Sequence, residues 1–558
     1  MKPIYLQNIL FKNGKSVDIN ENDIIVIVGP NNSGKSKLLD EITSQFKSAD
    51  PKAIVVDKIR IKRSVDFETI FKTLEEKGRV SISDTSYSMS QKKYSISSSR
   101  DAFKNAWEGE DIGMFSKLLV NQLKTVERLT TVKAPKTVKM AISEFFHPIH
   151  FMQRDDKLEM YFSELFHQAF GEDLILHRAA GDTLPLYIGK RPEFEGDEDR
   201  VSLSYVKKIE ELPLLEDQGD GMKSFVGILM NTFITEFSVV LIDEPESFLH
   251  PPQSRLLGKM IGSDLPEDRQ LILATHSSAF LRGLLDTAQN NLRILRIERD
   301  GKDNRISELN PKEIESIWND SLLRHTNVLD GIFHSKVIVC ESDADCRFYS
   351  VVFDQVLQDQ KEVFRDYKFI HCGGKQRIPK ILQALTQLKV PIEIICGFDI
   401  LNFEEPLKKI VDIYGGDWGK VKGPLEKVQE VINSIKPVLQ TEDVKDQIQS
   451  ILDSVESPIL PVEKSQLISE IIKKSSAGMH VNQIDSSYIP KGDAKKSFKK
   501  LSKYLSSLGI HILEVGELEG FCRSIDSRGS KWVEEVLKKD LKSDPELETA
   551  KEFLQKIM

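Results

Sequence analysis

Residues 24–36 read IIVIVGPNNSGKS, and this stretch decides the fold of the first part of the chain. The five apolar residues of Ile24–Val28 are typical of a strand that is buried on both faces. Residues 29–36 match GxxxxGK[ST], the pattern of a phosphate-binding loop, and a helix is predicted to begin near Lys35. Strand, glycine-containing loop and helix, in that order, predict an α/β fold with a nucleotide site at the end of the strand.

Each residue type in this loop has a chemical role. The glycines let backbone N–H groups turn toward bound phosphates, and the N-terminus of the following helix adds partial positive charge. Lys35 is expected to reach the β- and γ-phosphate oxygens of ATP, and the Ser36 hydroxyl is expected to ligate Mg²⁺. The residues of the loop that are predicted to bind the nucleotide are Gly29, Asn31, Asn32, Ser33, Gly34, Lys35 and Ser36.

A second apolar run carries carboxylates to its end. Residues 239–246 read VVLIDEPE, four apolar residues followed by an acidic pair. We expect Asp243 to bind the nucleotide's Mg²⁺ through water, and Glu244 to act as the catalytic residue that polarises the attacking water. Another apolar run, 271–274, is followed by His276, which we interpret as a catalytic sensor of the γ-phosphate, although a lone histidine is more often structural.

The second half of the chain contains another series of apolar runs that end in acidic residues. Residues 336–345 read KVIVCESDAD, a predicted strand that ends at Glu341, with Asp345 four residues further on. The segment HCGGK (371–375) follows, and then the apolar run 390–401, which contains Asp399 near its end. Clustered carboxylates at strand ends hold divalent metal ions that activate water and stabilise a phosphodiester transition state.

A late segment supplies the remaining candidates. Residues 516–520 read GELEG directly after the predicted strand 511–515. A carboxylate there would complete the metal site, and we prefer Glu519 to Glu517. Lys531 is predicted to neutralise charge on the cut phosphate; the alternative is an ordinary lysine at the start of a helix. In this interpretation Glu341 and Lys531 are catalytic, and the metal ligands are Glu341, Asp345, Asp399 and Glu519.

The nucleotide motifs resemble the ABC/SMC/RecF class of ATPases. In that class a signature loop completes the partner's nucleotide site across a dimer. The best match is residues 218–224, QGDGMKS, in which Gly219 and Gly221 would present N–H groups to a γ-phosphate. The match departs from the usual Ser-Gly-Gly core, and an ordinary turn before a helix is the alternative. The resemblance implies that ATP hydrolysis requires at least a dimer.

The strand-end carboxylates of the second half resemble a Toprim domain, in which the third strand ends in an Asp-x-Asp pair. Here Asp399 matches the second aspartate and Gly397 stands at the first, so one expected ligand is missing. An ABC ATPase followed by a Toprim domain resembles the OLD (overcoming lysogeny defect) family of ATP-dependent nucleases. A topoisomerase or primase is not favoured, because the chain has no zinc-finger spacing and no gyrase-like ATPase signature.

The OLD resemblance implies a function and several partners. It implies DNA cleavage that depends on Mg²⁺ or Mn²⁺, with dimers or tetramers formed through the ATPase domain, and frequent service in bacterial antiphage defence. Some relatives act with a second protein, and some act beside a reverse transcriptase and its RNA–DNA product. Three hypotheses follow: an ATP-regulated endonuclease or nickase, a nucleotide-gated DNA clamp with a weakened Toprim domain, and a scaffold that acts only with a partner.

The predicted fold class is α/β, with an ABC-type P-loop ATPase domain followed by a Toprim domain built on a Rossmann-like parallel sheet. The ATPase domain is expected to span residues 1–325, with a helical or mobile insertion at about 50–145. Within this insertion, the serine-rich stretch 81–100 is predicted to be a mobile loop. The following residues of the ATPase domain, 146–215, are predicted to form strands. The Toprim domain is expected to span residues 326–558, with a helical insertion at about 403–505.

Composition adds limits on location and on surface chemistry. The 558 residues carry a formal net charge of −9, so any nucleic-acid contact has to come from local basic patches. Two candidates are the lysine-rich stretch 491–504 and the alternating basic run 58–63; the alternative for each is a solvated surface. Five cysteines, an odd number without a CxxC pair, predict reduced thiols. With no apolar stretch long enough to span a membrane, a cytoplasmic protein is expected.

Overall fold

The computed structural model places the chain in two compact units, residues 1–324 and 325–558, which are described separately below. The structure describes residues 2–48, 52–76, 79–83, 86–91, 94–109, 112–139, 147–301, 303–319, 327–360, 366–434, 441–455, 457, 459–475 and 485–557. The predicted domain junction at 325/326 lies outside these residues.

The first unit is a mixed α/β structure, as its sequence predicts. Its strands are β1 Ile4–Phe11, β2 Ser16–Asp18, β3 Ile24–Val28, β4 Val56–Arg63, β5 Val80–Ile82, β6 Tyr87–Gln91, β7 Tyr94–Ser98, β8 Val120–Leu123, β9 Asp173–Leu176, β10 Leu186–Gly189, β11 Val239–Asp243, β12 Gln270–Ala274, β13 Leu292–Asp300 and β14 Asp303–Leu309. Its α-helices are α1 Lys35–Gln45, α2 Phe67–Glu76, α3 Arg100–Glu108, α4 Ser116–Leu119, α5 Thr125–Thr130, α6 Pro148–Arg154, α7 Asp156–Phe170, α8 Leu203–Glu210, α9 Asp220–Phe233, α10 Pro251–Asp264, α11 Ser278–Ala288 and α12 Pro311–Trp318. Short 3-10 helices cover Gly113–Phe115 and Leu215–Asp217.

A six-stranded sheet forms the centre of the first unit, in the order β14-β13-β3-β12-β11-β8. Strands β13, β3, β12, β11 and β8 run parallel, and β14 is antiparallel at one edge. Every residue of β3 and β12 is buried, because apolar residues cover both faces of these strands. A separate antiparallel sheet, β2-β1-β4, contributes Ile4, Leu6 and Ile9 to the same hydrophobic core. The predicted strand Ile24–Val28 and the predicted helix from Lys35 are both confirmed.

The serine-rich stretch 81–100 is not the mobile loop that its composition predicts. Its described residues contribute to the antiparallel sheet β5-β6-β7, and Ser88 Oγ lies 2.6 Å from Ser97 Oγ across two of these strands. The physical reason is a period of two: serines alternate with larger residues, and Met89 is fully buried in the core. The low hydrophobicity of the stretch predicts a loop, but the alternation of serines with larger residues determines its strands.

The described residues of 146–215 contain more helix than strand, which corrects a second prediction. Only β9 and β10, which pair as an antiparallel hairpin, are strands among the described residues of this range. In α7 the buried positions Glu159, Phe162, Ser163 and Phe166 recur at helical spacing. The Asp155 side chain accepts hydrogen bonds from the first turn of α7, and these signals outweigh local alternation.

The second unit is also α/β. Its strands are β15 Lys336–Cys340, β16 Tyr367–His371, β17 Ile392–Cys396 and β18 Ile510–Ile512. Its α-helices are α13 Asp343–Gln360, α14 Ile378–Gln387, α15 Glu404–Ile413, α16 Trp418–Ser434, α17 Thr441–Asp453, α18 Val462–Ser475, α19 Asp493–Ser507, α20 Gly529–Val536 and α21 Glu548–Gln555. Short 3-10 helices cover Asn327–Phe333, Lys375–Arg377, Phe398–Asn402, Ser486–Tyr488, Leu518–Phe521 and Pro545–Leu547.

The four strands of the second unit form one parallel sheet in the order β16-β15-β17-β18. Helices α15 to α19 separate β17 from β18 along the chain. A core of buried aliphatic and aromatic residues, including Phe348 and Trp532, packs against this sheet. The five cysteines are free in the structure, and four of them, Cys340, Cys372, Cys396 and Cys522, are buried. Among the helices of the described residues, none is long and apolar enough to cross a lipid bilayer.

Candidate functional site

In the first unit, three buried parallel strands end at one edge of the sheet. Asp243 at the end of β11 pairs in register with Ala274 at the end of β12, and Ala274 pairs with Ile27 of β3. The phosphate loop follows β3, and His276 follows β12. The register therefore brings the loop, Asp243, Glu244 and His276 to one edge of the sheet, where the sequence motifs place them.

The phosphate loop adopts backbone angles that its glycines allow. Gly29 has φ 148°, and a side chain at that position would lie 2.1 Å from the carbonyl oxygen of Ile297, so no other residue fits. Gly34 is in the left-handed region with φ 100° and precedes α1. No side chain of the described residues caps this helix start. The first N–H groups of α1 therefore remain suited to an anion.

Lys35 lies against the loop itself. Its Nζ donates hydrogen bonds to the carbonyl oxygens of Gly29 and Pro30, each at 2.9 Å, and the residue is 9% exposed. Both acceptors are uncharged. Phosphate oxygens make stronger, charge-assisted hydrogen bonds with an ammonium, so the lysine is positioned to exchange these carbonyls for a bound phosphate.

Asp243 has an electrostatic environment that favours a cation. Burial raises the pKa of the Asp243 carboxyl, a hydrogen bond from Ser36 opposes this, and the charge of Glu244 raises it further. Its Oδ1 atom is buried and has no hydrogen-bond partner among the described residues. A hydroxyl beside a carboxylate with an orphaned oxygen fits the ligands that Mg²⁺ takes in nucleotide sites. Ser36 and Asp243 are thus the residues that would hold it.

Glu244 and His276 lie close together. His276 Nδ1 is 3.5 Å from Glu244 Oε1 and 3.4 Å from Glu246 Oε1. The side chain of Glu244 is 46% exposed, whereas Glu246 is buried, and burial raises the pKa of its carboxyl. Glu246 Oε1 accepts a hydrogen bond from the backbone N–H of His276 at 3.0 Å. Glu246 therefore ties the end of β12 to the acidic turn after β11, a role that the sequence did not assign to it.

A fully buried arginine supports the same turn. Arg128 of α5 donates from Nη1 to the carbonyl oxygens of Asp243 at 3.0 Å and Glu244 at 2.8 Å. Glu244 has φ 48°, a left-handed conformation that costs a non-glycine residue about 1–2 kcal/mol. Burial lowers the pKa of Arg128, and the nearby charge of Glu246 opposes this. Arg128 is a positioning residue, and it lies in a weakly patterned stretch that gave no signal for it.

Gly219 and Gly221 lie at the start of α9. Gly219 is the residue before the helix, and a side chain at Gly221 would approach the carbonyl oxygen of Phe248 to 2.7 Å. Helix α9 packs against α5 and α10, while α1 packs against β4, β11 and β12. Gly221 therefore lies beside the segment that follows Asp243, whereas no atom of the described residues lies within 4 Å of a side chain built at Gly219. Their contact with a partner's nucleotide stays a prediction.

The second unit also gathers carboxylates at one edge of its sheet. The ends of β15, β16 and β17 are aligned by the parallel register, and Glu341, His371 and Gly397 occur at or directly after these ends. A cavity of about 180 Å³ lies there. Its lining includes five carboxylates and one lysine: Glu341, Asp345, Asp399, Glu517, Glu519 and Lys375.

Lys375 is the side chain of this cavity that the sequence did not assign. Its Nζ forms an ion pair with Asp399 Oδ2 and lies 3.6 Å from Glu341 Oε2. Asp399 is 3% exposed, and its Oδ1 has no hydrogen-bond partner among the described residues. Lys375 belongs to HCGGK, directly after the second strand of the sheet, and that position was the only signal for it.

Backbone N–H groups hold the other carboxylates. Glu341 Oε1 accepts from the N–H of Gly397, and Glu519 Oε1 accepts from the N–H of Gly529, each at 2.7 Å. Asp345 Oδ2 accepts from the N–H of Ser342 at 2.7 Å and from its hydroxyl at 2.9 Å.

Burial raises the pKa of both Glu341 and Asp345. Burial and the charge of Glu519 raise the pKa of Glu517 to about 7. Glu517 and Glu519 both line the cavity, so the structure does not choose between them.

The predicted metal ligands share this cavity, but they are not arranged as a formed metal centre. The described residues contain no group of three or more His, Cys, Asp or Glu side chains that could hold a metal ion. The donor atoms have the right chemistry, and Asp399 Oδ1 is an orphaned buried oxygen. The arrangement does not fit a metal because the Lys375 ammonium lies between two carboxylates and backbone N–H groups occupy two others.

The structure also locates Lys531 and Gly397. Lys531 is exposed on α20 and does not line the cavity, so the lysine among the carboxylates is Lys375. At Gly397, a side chain would bring Cβ to 2.8 Å from Asp399 Oδ1 and 3.4 Å from Glu341 Oε1. The missing first aspartate of the Toprim pattern is thus a position where any side chain would press on two carboxylates.

Comparison with known proteins supports the assignment of the first unit. Residues 160–282, which contain Asp243, Glu244 and His276, match the family described as "AAA domain, putative AbiEii toxin, Type IV TA system". This match covers less than half of the chain. No curated protein sequence matches the chain significantly. The phosphate loop, the strand-end carboxylates and this family match together define an ATPase domain of the AAA/ABC type.

Several solved structures are similar over about half of the chain. The SMC head domain from Thermotoga maritima is 13% identical, with 55% of this chain and 98% of that chain covered and a TM-score of 0.29. The SmcHead bound to the C-winged helix domain of ScpA is 14% identical over 56% and 100%, with a TM-score of 0.34. The cbiO1 part of the ABC transporter complex cbiONQ, from Clostridium perfringens, is 12% identical over 56% and 91%, with a TM-score of 0.26. TM-scores this low add nothing to the assignment of the first unit, which rests on the loop, the carboxylates and the family match.

Proposed function

We propose that the protein is an ATP-hydrolysing enzyme that cuts the phosphodiester backbone of DNA, as an endonuclease or nickase, in bacterial antiphage defence. The observation that carries the cutting activity is the cavity in which five carboxylates and a lysine meet at the carboxyl edge of a parallel sheet. The order of an ATPase unit followed by this cavity, and the resemblance to the OLD family, support DNA as the substrate. Dependence on Mg²⁺ or Mn²⁺ is implied by the OLD resemblance, although Lys375 and backbone N–H groups occupy the carboxylates of the cavity in this structure.

The nucleotide cycle uses the residues at the edge of the first sheet. Lys35 and the loop N–H groups bind the phosphates, and Glu244 orients the attacking water beside His276. Arg128 fixes the backbone of Asp243 and Glu244, so that both carboxylates point from one rigid turn. Ser36 and Asp243 would hold Mg²⁺, which would supply positive charge to the phosphates. Gly219 and Gly221 complete the site of a second copy in a dimer or tetramer.

A second candidate function is a nucleotide-gated DNA clamp or scaffold that does not cut and acts with a partner, such as a second defence protein or a reverse transcriptase with its RNA–DNA product. The observations that favour it are Gly397, which removes one expected carboxylate, and Lys375, which pairs with Asp399. Under this hypothesis ATP turnover remains while plasmid cutting is absent.

Plasmid cleavage tests the two candidates. Supercoiled plasmid is incubated with the full chain and Mg²⁺ or Mn²⁺, with and without ATP, beside Glu341→Ala and the matched control Glu405→Ala, whose side chain is 80% exposed on α15. Nicking or linearisation that Glu341→Ala abolishes and Glu405→Ala keeps would support the nuclease, and the ATP lanes would show whether nucleotide activates or restrains it.

The absence of cutting with ATP turnover intact would support the clamp. A parallel reaction with Gly397→Asp then tests whether the missing carboxylate is the reason that the plasmid is not cut. Cutting that appears only in Gly397→Asp would assign the loss to that position. Continued absence of cutting, in a Gly397→Asp protein that melts at the temperature of the unmodified protein despite the close approach to Asp399, would assign the function to a partner-dependent complex.

A further inference from the structure

A groove of the second unit lies beside the carboxylate cavity. It has a volume of about 960 Å³ and is lined by residues of α14 and α15 and of the turns before them, including Gln376, Gln383 and Phe403. None of these three residues lines the carboxylate cavity. Pockets of about 300–1,000 Å³ are those in which proteins bind small organic groups. The groove is therefore large enough for a nucleobase with its sugar.

Phe403 gives this groove a flat apolar surface. Its side chain is 41% exposed, whereas Leu401 and Leu407 on either side of it are fully buried. The N–H of Phe403 donates to the carbonyl oxygen of Ile400 at 3.0 Å, and the N–H of Leu407 donates to the carbonyl oxygen of Phe403 at 3.1 Å. The ring is thus held at the surface by a backbone that is hydrogen-bonded on both sides.

Phe403 is also close to the carboxylate cavity. The Nζ of Lys375 lies 6.0 Å from the centroid of the Phe403 ring and forms an ion pair with Asp399. Phe403 directly follows the 3-10 helix that contains Asp399. Lys375 lines the cavity, and the next residue, Gln376, lines the groove. The groove and the cavity therefore share a wall, and a group on the ring is adjacent to a group in the cavity.

The charges of the groove favour an uncharged ligand. Its charged lining consists of two lysines and three carboxylates, Lys380, Lys409, Glu404, Glu405 and Asp412. Lys409 and Glu405 pair with each other at 2.7 Å with side chains that are 59% and 80% exposed, so this pair belongs to the solvent rim. Two of the three other charges are negative, which disfavours a phosphate. The lining amides of Gln376 and Gln383 donate and accept hydrogen bonds, as the edges of nucleobases do.

We infer that this groove is a base-binding subsite, in which Phe403 stacks on an unpaired nucleobase of the DNA strand whose phosphodiester lies in the carboxylate cavity. This deepens the proposed function and rests on it. In a duplex the neighbouring bases cover both faces of each base, so a base stacks on a protein ring only from a single strand or after it leaves the stack. The substrate is therefore DNA with unpaired nucleotides beside the position of the cut.

The first test compares the binding of two DNA forms by fluorescence anisotropy: a labelled single-stranded oligodeoxynucleotide and the blunt duplex of the same sequence. The full chain is used in EDTA, so that metal-dependent cutting does not interfere. Phe403→Leu keeps an apolar side chain and removes the ring. It should weaken single-strand binding about tenfold and leave duplex binding unchanged, because one base loses its stacking partner.

The matched control is Tyr488→Leu. Tyr488 is an aromatic residue of the same unit that is 55% exposed and does not line the groove. Tyr488→Leu should bind both DNA forms as the unmodified protein does. An unchanged single-strand affinity of Phe403→Leu would overturn the inference, and so would an equal loss of affinity for the two DNA forms.

A second test observes the ring itself and does not depend on a loss of binding. Phe403→Trp keeps an aromatic surface and adds a fluorophore that a stacked base quenches. The single strand should quench Phe403→Trp more strongly than the unmodified protein, which contains four tryptophans, and the duplex should quench both proteins equally. Equal quenching of the two proteins by the single strand would contradict stacking and assign the groove to another ligand, such as a segment of a partner protein.

The outcomes separate this inference from the proposed nuclease. If single-strand binding depends on Phe403 while no DNA is cut, the subsite is supported and the nuclease proposal fails. If plasmid is cut while single-strand binding does not depend on Phe403, the nuclease stands and the subsite is wrong. If the unmodified protein binds neither DNA form, both are wrong.

Discussion

The two units place a lysine beside carboxylates at the edge of a parallel sheet, but the two lysines have opposite partners. Lys35 donates to the uncharged carbonyl oxygens of Gly29 and Pro30, whereas Lys375 pairs with Asp399 and lies near Glu341. The hydrogen bonds of Lys35 go to uncharged acceptors, and its charge also acts on the carboxyl of Asp243. The second arrangement satisfies the anions with a cation from the chain itself. The difference teaches that the partner of a lysine, more than its presence, decides which ligand a site takes.

The largest effect should come from removing the first lysine. Lys35→Met removes the charge that would bind the β- and γ-phosphates, so ATP hydrolysis should fall about 100-fold or more, the order seen when one preorganised donor is lost. Lys375→Met should leave ATP hydrolysis unchanged, because its partners are carboxylates of the other unit. Phosphate release measured over a range of ATP concentrations gives both results.

Lys37→Met is the matched control for Lys35→Met, since Lys37 lies two residues further along α1 and its side chain is 50% exposed. It should hydrolyse ATP as the unmodified protein does. Comparable loss in Lys37→Met and Lys35→Met would mean that the helix and not the ammonium was damaged. Loss of ATP hydrolysis in Lys375→Met would break the comparison, because the two sites would then act as one.

The next effect concerns Arg128, a buried cation of the first unit. Arg128→Met leaves the carbonyl oxygens of Asp243 and Glu244 without their donor, and each unsatisfied buried acceptor costs about 1 kcal/mol or more. Stability should fall by about 2 kcal/mol. ATP hydrolysis should also fall, about tenfold, a factor that corresponds to about 1.4 kcal/mol, because Glu244 loses its fixed turn. Scanning calorimetry and phosphate release measure the two effects.

Arg255→Met is the control for the buried arginine. Arg255 is 52% exposed and pairs with Asp286 on the surface of the α10 and α11 pair, so its loss should cost less than about 1 kcal/mol. A stability loss in Arg128→Met without any change in hydrolysis would contradict its role as a positioning residue and leave only a structural one.

The parts of both sites that the sequence predicted are the ones carried by short, continuous segments. The phosphate loop, the strand ending at Asp243 and the strand ending at Glu341 each combine an apolar run with a fixed motif. Such runs fix both the strand and the edge at which its last side chains lie. The α/β class and the P-loop ATPase fold were therefore predictable without any knowledge of long-range contacts.

The parts that the sequence missed depend on contacts between distant segments. Arg128 reaches Asp243 across 115 positions of the chain, and no local pattern marks a buried arginine. The segment HCGGK alone gives no sign of a role for Lys375, because its ion pair with Asp399 exists only once β16 and β17 share a sheet. In 81–100 the period-two alternation of serines with larger residues determines strands, and in 146–215 a short alternating stretch lies beside helices with their own 3.6-residue spacing.

The comparison extends to a second lysine–carboxylate cluster, Lys336 with Glu393 in the sheet of the second unit, whose contribution to stability should depend on pH. Burial would raise the pKa of Glu393, but the hydrogen bond from His511 and the charge of Lys336 lower it overall. A lowered folded pKa contributes stability that is fully present above the ordinary value of 4.5 and is lost as the pH falls through the folded pKa. Glu393→Gln should therefore be less stable than the unmodified protein at pH 7, by about 1 kcal/mol, and the difference should close as the pH falls below 4.5 and through the folded pKa.

Thermal melts of both proteins between pH 7 and pH 3 measure this effect. Plasmid cutting by Glu393→Gln should equal that of the unmodified protein, because this cluster does not line the carboxylate cavity. A melting difference that stays constant down to pH 3 would show that the Glu393 charge adds no stability. Altered plasmid cutting would show that the two clusters of this sheet are coupled.

The smallest effect concerns the outer surfaces of the two units. On α19, Phe498, Leu501 and Leu505 are buried, while Lys496 and Lys500 are exposed on another face of the helix. If DNA lies along the second unit, Lys496→Gln with Lys500→Gln removes about two phosphate contacts and lowers the slope of log affinity against log salt by about 2. Fluorescence anisotropy of a labelled duplex at several salt concentrations measures the slope.

The matched pair on the first unit is Arg60→Gln with Lys62→Gln, two exposed basic residues of β4. This pair should leave the slope unchanged, since the proposed cutting cavity is on the other unit and the DNA has to reach it. Neither double variant should change stability by more than about 0.5 kcal/mol, because the side chains are exposed. An equal fall in slope for both pairs would mean that DNA contacts both units. A fall for the β4 pair alone would assign DNA binding to the ATPase surface, and the carboxylate cavity would then need a different substrate.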